Sequence, residues 1–106
     1  MTRALINTPK QAQQGEVIEI RAMIAHVMET GHRRDAQGAA VPRNIIHRFQ
    51  CLYDDVEIFA ADFYPAMAAN PFIAFSTVAT TSGVLTFAWT DDQGTIQRAT
   101  AEITVV

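Results

Sequence analysis

Cysteine occurs once in this chain, as Cys51, so no disulfide can close within it, and the lone thiol neither demands nor excludes an oxidising compartment. Long apolar runs are lacking as well. No segment approaches the ~18–20 apolar residues of a membrane helix, and the opening stretch MTRALINTPKQAQQGEV holds no core for a signal peptide. On these grounds alone the chain is expected to be soluble and kept in the cytoplasm. Charge is sparse. Asp, Glu, Lys and Arg make up 18% of the residues and the formal net charge is −3, which leaves no field to steer the molecule toward phosphate backbones or anionic lipids. Neither nucleic acid nor a membrane is expected as a partner. Internal repeats, low-complexity segments, a Ser/His/Asp arrangement, a glycine-rich phosphate loop and an isolated carboxylate pair are also missing. The motifs therefore assign no catalytic residue, no metal and no cofactor.

What the chain has is a globular composition. Hydrophobic residues are 49% of 106, enough for one domain over residues 1–106 whose core buries ~60–65% of the surface the unfolded chain exposes. The apolar residues recur with a period of two. In EVIEIRAMIAHV, Ile18, Ile20, Ala22 and Ile24 share one side and Glu19, Arg21 and Met23 the other, the pattern of a half-buried strand. NIIHRFQCLY repeats it, with Ile45, His47, Phe49, Cys51 and Tyr53 set against Ile46, Arg48, Gln50 and Leu52. Asp54-Asp55 separates that run from VEIFAADF by the two-residue spacing of a tight hairpin.

FIAFSTVAT leads through TSG into VLTFAWT, and VLTFAWT leads through DDQG into TIQRATAEITVV. Both pairs read as hairpins, with Phe87 and Trp89 as core fillers. A short strand near Ala4 to Ile6 opens the series, and YPAMAANP is the one place for helix, limited to a turn or two between Pro65 and Pro71. Seven or eight short strands with turn signals between them predict an all-β antiparallel sandwich. The final strand ATAEITVV, alternating and nearly uncharged, is expected to be an edge that a partner must cover.

Residues 26–43, HVMETGHRRDAQGAAVPR, break this pattern: they have no hydrophobic period and crowd together two histidines, three arginines, Glu29 and Asp35. A long loop inside a compact domain is either functional or disordered. His26, Glu29 and His32 form H-x-x-E-x-x-H, residue types that bind zinc, but spacing of three suits a helix, and Gly31 with the polar run around it argues against one. Cys51 lies mid-strand on the side of Phe49 and Tyr53, where a thiol is desolvated and its pKa raised, so it is expected to be an inert core residue. His47 is expected to be a hydrogen-bonded strand residue.

In order and along almost the whole chain, PKQAQQGEVIEIRAMIAHVMETGHRRDAQGAAVPRNII, YPAMAANPFIAF and WTDDQGT resemble the SoxZ family of sulfur-oxidation proteins. His26, Met28, Glu29, Thr30, Gly31, Arg33, Arg34 and Asp35 fall where the family's loop reads His-Pro-Met-Glu-Thr-Gly, then a basic pair and an Asp. Ala68, Ala69, Asn70, Pro71 and Phe72 match its Ala-Ala-Asn-Pro-aromatic element. Two places depart from the pattern. Val27 replaces the usual proline, which frees one backbone angle and restores an N–H, and Asp54-Asp55 stands where Asn-Gly is common.

The resemblance implies an immunoglobulin-like sandwich that forms a heterodimer with SoxY, whose C-terminal Gly-Gly-Cys-Gly-Gly arm carries the sulfur intermediate of thiosulfate oxidation between periplasmic enzymes. This chain would then be the non-catalytic subunit without the substrate-bearing arm. It would be exported to the periplasm together with SoxY, would touch the other Sox enzymes transiently, and would have a homodimer as the option for isolated chains. His26, Met28, Glu29, Arg33, Arg34 and Arg43 are the candidate recognition residues of its loop, with the arginines facing a partner carboxylate or an anionic sulfur adduct. Asn70, Pro71 and Phe72 are the second family element. Three alternatives stay open: a loop that is only a solvated hairpin, a metal-dependent enzyme built on His26, Glu29 and His32, and a stand-alone sandwich that binds a ligand.

Overall fold

The computed structural model describes residues 4–106. Its eight strands are β1 (Ala4–Asn7), β2 (Gln11–Ala12), β3 (Val17–Ile24), β4 (Ile46–Tyr53), β5 (Val56–Asp62), β6 (Phe72–Val78), β7 (Gly83–Asp91) and β8 (Ile96–Val105). They form two sheets, one of three strands in the order β1-β3-β6 and one of five in the order β2-β8-β7-β4-β5. Together these make an immunoglobulin-like β-sandwich.

The period of two places the core. Ile18, Ile20, Ala22 and Ile24 of β3 face inward from the smaller sheet, while Phe49, Cys51, Leu85, Phe87 and Trp89 face inward from the larger one. Phe49 is the hub: the rings of Phe59, Phe63, Phe75, Phe87 and Trp89 all lie with centroids 5.4 to 6.3 Å from its own. Truncating a ring so placed costs about 3–5 kcal/mol.

The β4–β5 hairpin turns on Asp54 and Asp55, both in the left-handed region at φ 49° and 68°, as a two-residue turn between right-twisted strands requires. Asp holds position 54 because its carboxylate is used. Asp54 Oδ1 accepts the Val84 N–H at 2.9 Å and the Asp54 N–H donates to the Val84 carbonyl at 3.0 Å, which ties the hairpin tip to the start of β7. A Cβ on Gly83 would collide with that carboxylate, so the neighbouring position is kept bare. The β7–β8 hairpin closes over Asp91, whose Oδ1 accepts the N–H groups of Gln93 and Thr95.

Three expectations are corrected, and the edge character of the last strand holds. FIAFSTVAT and VLTFAWT are not a hairpin: β6 pairs with β3 in one sheet and β7 with β4 and β8 in the other, so the chain crosses between sheets after Val78. Ala79 turns fully into the core there and donates its N–H to Glu16, while Thr81 accepts the Tyr53 hydroxyl. The last strand is an edge over most of its length, as expected: β7 flanks β8 on one side, and on the other the two-residue β2 lies parallel to Thr104 and Val105 alone, leaving Ile96–Ile103 open. In β4 the register shifts between Ile46 and Arg48, so Ile45 and Ile46 are both buried and His47 is half-exposed, out of phase with Phe49. YPAMAANP forms no helix, only a turn in which the Met67 N–H reaches the Tyr64 carbonyl at 2.9 Å.

Candidate functional site

Between Ile24 and Ile46 the chain leaves the sandwich and returns as an irregular antiparallel ribbon. Glu29 and Asn44 exchange backbone hydrogen bonds at 3.0 and 2.8 Å, the Val41 N–H donates to Arg33 at 2.8 Å, and the Asp35 N–H donates to Ala39 at 2.9 Å. At the tip Asp35 Oδ1 accepts the N–H groups of Gln37 and Ala39, and Gly38 supplies the left-handed residue at φ 81°. Residues 32–40 are exposed throughout, so this arm stands in solvent. The molecule accordingly measures 59 × 19 × 19 Å, of which the longest strand, β8, accounts for about 34 Å.

The root of the ribbon is clamped. Asn70, at φ 54°, donates its N–H to the His26 carbonyl at 2.7 Å and accepts the His26 N–H on Oδ1 at 2.9 Å. Pro71 accepts the Ile24 N–H. The two family elements, far apart in sequence, therefore meet at one end of the sandwich. Met28, also left-handed at φ 54°, was expected among the recognition residues and is instead a plug: it is 4% exposed and its sulfur accepts the Ile46 N–H at 3.3 Å. The positive φ swings its side chain inward, where the polarizable thioether fills the gap beside β4.

Each arginine of the loop has a partner. Arg33 grips Glu29 Oε1 through Nε and a terminal nitrogen at 3.0 and 2.7 Å, an exposed pair along the ribbon. Arg34 donates to the Gly38 carbonyl at 2.9 Å, and among the described residues no carboxylate pairs with it. Arg43 makes a two-point contact with Asp92, Nε to Oδ2 at 2.7 Å and a terminal nitrogen to Oδ1 at 3.0 Å, while Oδ2 also accepts the Ile45 N–H at 3.2 Å. The Arg43 hydrogen bonds hold the Asp92 carboxyl below its usual range, against a partial desolvation and with help from the Ile45 amide. His47 Nδ1 lies 3.4 Å from Asp92 Oδ1 without hydrogen-bond alignment. Asp92 is the anchor that sequence reasoning missed: 49 residues separate it from Arg43, and no local spacing marks the pair.

His26, Glu29 and His32 do not converge. His26 Nδ1 accepts the Met28 N–H at 3.0 Å, Glu29 is held by Arg33, and His32 is exposed. Among the described residues no three His, Cys, Asp or Glu side chains are grouped to hold a metal. Cys51 is sealed in the core, and burial pushes its thiol up to about 12. Phe72 is 54% exposed on the outer face of the smaller sheet, in a cross-strand row with Met23 and with Leu5, which is 66% exposed.

The model of the family described as "Sulphur oxidation protein SoxZ" matches residues 6–102. The chain belongs to the SoxZ family. No curated protein sequence matches it. Among solved structures, a superoxide reductase (neelaredoxin) variant from Ignicoccus hospitalis is similar at 19% identity and TM-score 0.76, over 97% of this chain and 79% of that one. A putative superoxide reductase from Thermotoga maritima is similar at 14% identity and TM-score 0.75, over 97% and 85%. The sulfur carrier protein SoxY from Chlorobium limicola f thiosulfatophilum is similar at 14% identity and TM-score 0.68, over 97% and 78%. At these identities the likeness is one of fold. This SoxZ-family chain thus shares its sandwich fold both with superoxide reductases and with a sulfur carrier protein.

Proposed function

We propose that the chain is the non-catalytic subunit of a SoxYZ sulfur-carrier complex, binding SoxY and helping to present the sulfur-bearing arm of SoxY to the enzymes of thiosulfate oxidation. Family membership over residues 6–102 carries the reading. The state of Cys51 supports the division of labour. A carrier thiol must be exposed and ionisable to exchange sulfur, and this one is buried with its pKa raised to about 12. The loop supports it too, since a clamped root and an exposed basic pair suit an arm that touches macromolecules transiently. The pair works in the periplasm in this reading, with export supplied by SoxY.

The test is co-expression with SoxY followed by size and mass measurement, then sulfur transfer with and without this chain. A one-to-one complex whose sulfur is found on SoxY alone is the expected result. Sulfur covalently bound to this chain, or full transfer by SoxY in its absence, would overturn the proposal.

A further inference from the structure

Resting on that reading, we infer that SoxY docks on the β6 edge of the smaller sheet by strand addition, its matching sandwich edge running antiparallel to Phe72–Val78. Of the open edges in the two sheets, β6 is the one without charge: the open run of β3, Val17–Ile20, carries Glu19, and that of β8, Ile96–Ile103, carries Arg98 and Glu102. The edge strand β1 has four residues and β2 has two. The β5 edge is broken by a register shift opposite Cys51 and Leu52 and carries Glu57 and Asp62, both paired with Arg48. Strand β6, by contrast, pairs with β3 in unbroken register from Met23↔Phe72 to Val17↔Val78. Not one Asp, Glu, Lys, Arg or His occurs from Phe63 to Thr90. Folded proteins normally guard such an edge with charge, proline or a bulge, and a bare one is a template for another strand.

The phase of the hydrogen bonds says which groups are offered. Pro71 accepts from Ile24, and Ala79 bonds to Glu16 and Gly15, so the odd-numbered residues of this stretch face β3. By the alternation of an antiparallel ladder, the N–H and C=O groups of Phe72, Ala74, Ser76 and Val78 point away from the sheet. Beside them lies a cleft of about 540 Å³ lined by Val56, Ile58 and Thr77, opening between β5 and β6 where Phe59 stacks on Phe75 at 4.4 Å. An added strand thus finds backbone partners along β6 and a largely apolar trough for alternate side chains, the two components of recognition by strand addition.

The occupant follows from symmetry. A two-fold axis at Phe75 would set Phe72 against Val78 and Ala74 against Ser76 of an identical strand, with no like charges opposed. The backbone pattern that pairs this edge with itself also admits the edge of another sandwich of the same fold, and SoxY from Chlorobium limicola f thiosulfatophilum has that fold at TM-score 0.68. The heterodimer is then a pseudo-symmetric copy of a self-pairing.

Amide hydrogen exchange on isotope-labelled chain, alone and with unlabelled SoxY, reads this directly. In the free chain the amides of Ile73, Phe75 and Thr77 should exchange slowly and those of Ala74, Ser76 and Val78 quickly. Addition of SoxY should slow the second set, an alternation that burial of a sheet face would not produce. Ser76→Pro, which removes one outward N–H, and Ala74→Lys, which charges the edge, should each weaken SoxY binding by roughly tenfold, the loss of about one hydrogen bond. Circular dichroism of each variant verifies that it folds. Wild-type binding with fast even-numbered amides overturns the inference and leaves the carrier-subunit reading standing. Equal protection of those amides in concentrated free chain assigns the edge to a second copy and overturns SoxY as occupant. No binding of SoxY by the wild type overturns the reading and the inference together.

Discussion

Asn70 and His26 hold each other by two hydrogen bonds across 44 residues of sequence, one through the Asn70 backbone and one through its side chain. The side-chain bond requires an amide, and the backbone bond requires Asn70 in the left-handed region at φ 54°, which asparagine tolerates better than most residues. Asn70→Gly keeps the conformation and loses only the side-chain bond, so it should cost about 0.5–1.5 kcal/mol. Asn70→Ala should cost ~1–2 kcal/mol more, from the Cβ clash in that region. Urea titration of both variants gives the two values, and equal losses would show that the backbone conformation contributes nothing.

Cys51 should be silent in the folded state. At pH 8 iodoacetamide should leave it unmodified until denaturant is added, and Cys51→Ala should leave sulfur transfer unchanged. Cys51→Ser should cost about 1–3 kcal/mol, because the hydroxyl is buried among apolar neighbours. The thiol also predicts an alkaline limb. Below about pH 9 it is neutral in both states; above that the unfolded chain ionises while the folded one, at about 12, does not. Stability should therefore fall between those values in wild type and fall less in Cys51→Ala, as pH-dependent unfolding would record.

Asp92 predicts the opposite limb. Its folded pKa is depressed by Arg43, so its contribution is present at neutral pH and is lost as acid protonates it, starting near 3.8 and continuing below. Asp92→Asn should remove that part of the acid transition. It should also speed hydrogen exchange at Ile45, whose N–H bonds to the carboxylate. An acid titration identical to wild type would mean that the Arg43 contact is too screened to matter.

Arg33 and Arg34 lie in the exposed arm, so replacing both with Ala should leave the midpoint of thermal unfolding almost unchanged. Affinity of the SoxY-bound chain for a pathway enzyme should drop, and its salt dependence should flatten. Lys at both positions should restore only part of the loss, since an ammonium cannot make the planar two-point contact that Arg33 makes with Glu29. Calorimetry at low and high ionic strength separates the variants. Identical binding by all three would reduce the arm to a solvated hairpin.

Residues whose environment is set by their own strand could be read from the sequence. Ile18 to Ile24, Phe87 and Trp89 lie where a period of two puts them, and Asp54-Asp55 makes the turn its spacing demands. What failed depends on the other sheet. Alternation records that one face of FIAFSTV is buried but not against which strands, so the β6–β7 crossover looked like a hairpin. The same limit hid β2, two residues near the start of the chain that cap only Thr104 and Val105 of the β8 edge. Met28 sits in a polar run, and only a backbone angle, φ 54°, sends it inward. The loop itself shows in the sequence as a break in the period, but its pairings with Asp92 and Asn70 span 49 and 44 positions and leave no local trace.

A molecule 59 Å long and 19 Å across has ends that a single small partner does not cover. A standard interface takes about 800 Å² from each side, out of 6489 Å² here. A macromolecule seated along the flank of the sandwich therefore leaves the tip at Asp35 to Gly38 free in solvent, available to a second one. Ternary occupancy, in which an incoming protein meets the arm before anything seated on the flank departs, is sterically open to this shape. In a more compact sandwich of the same mass the two would have to exchange.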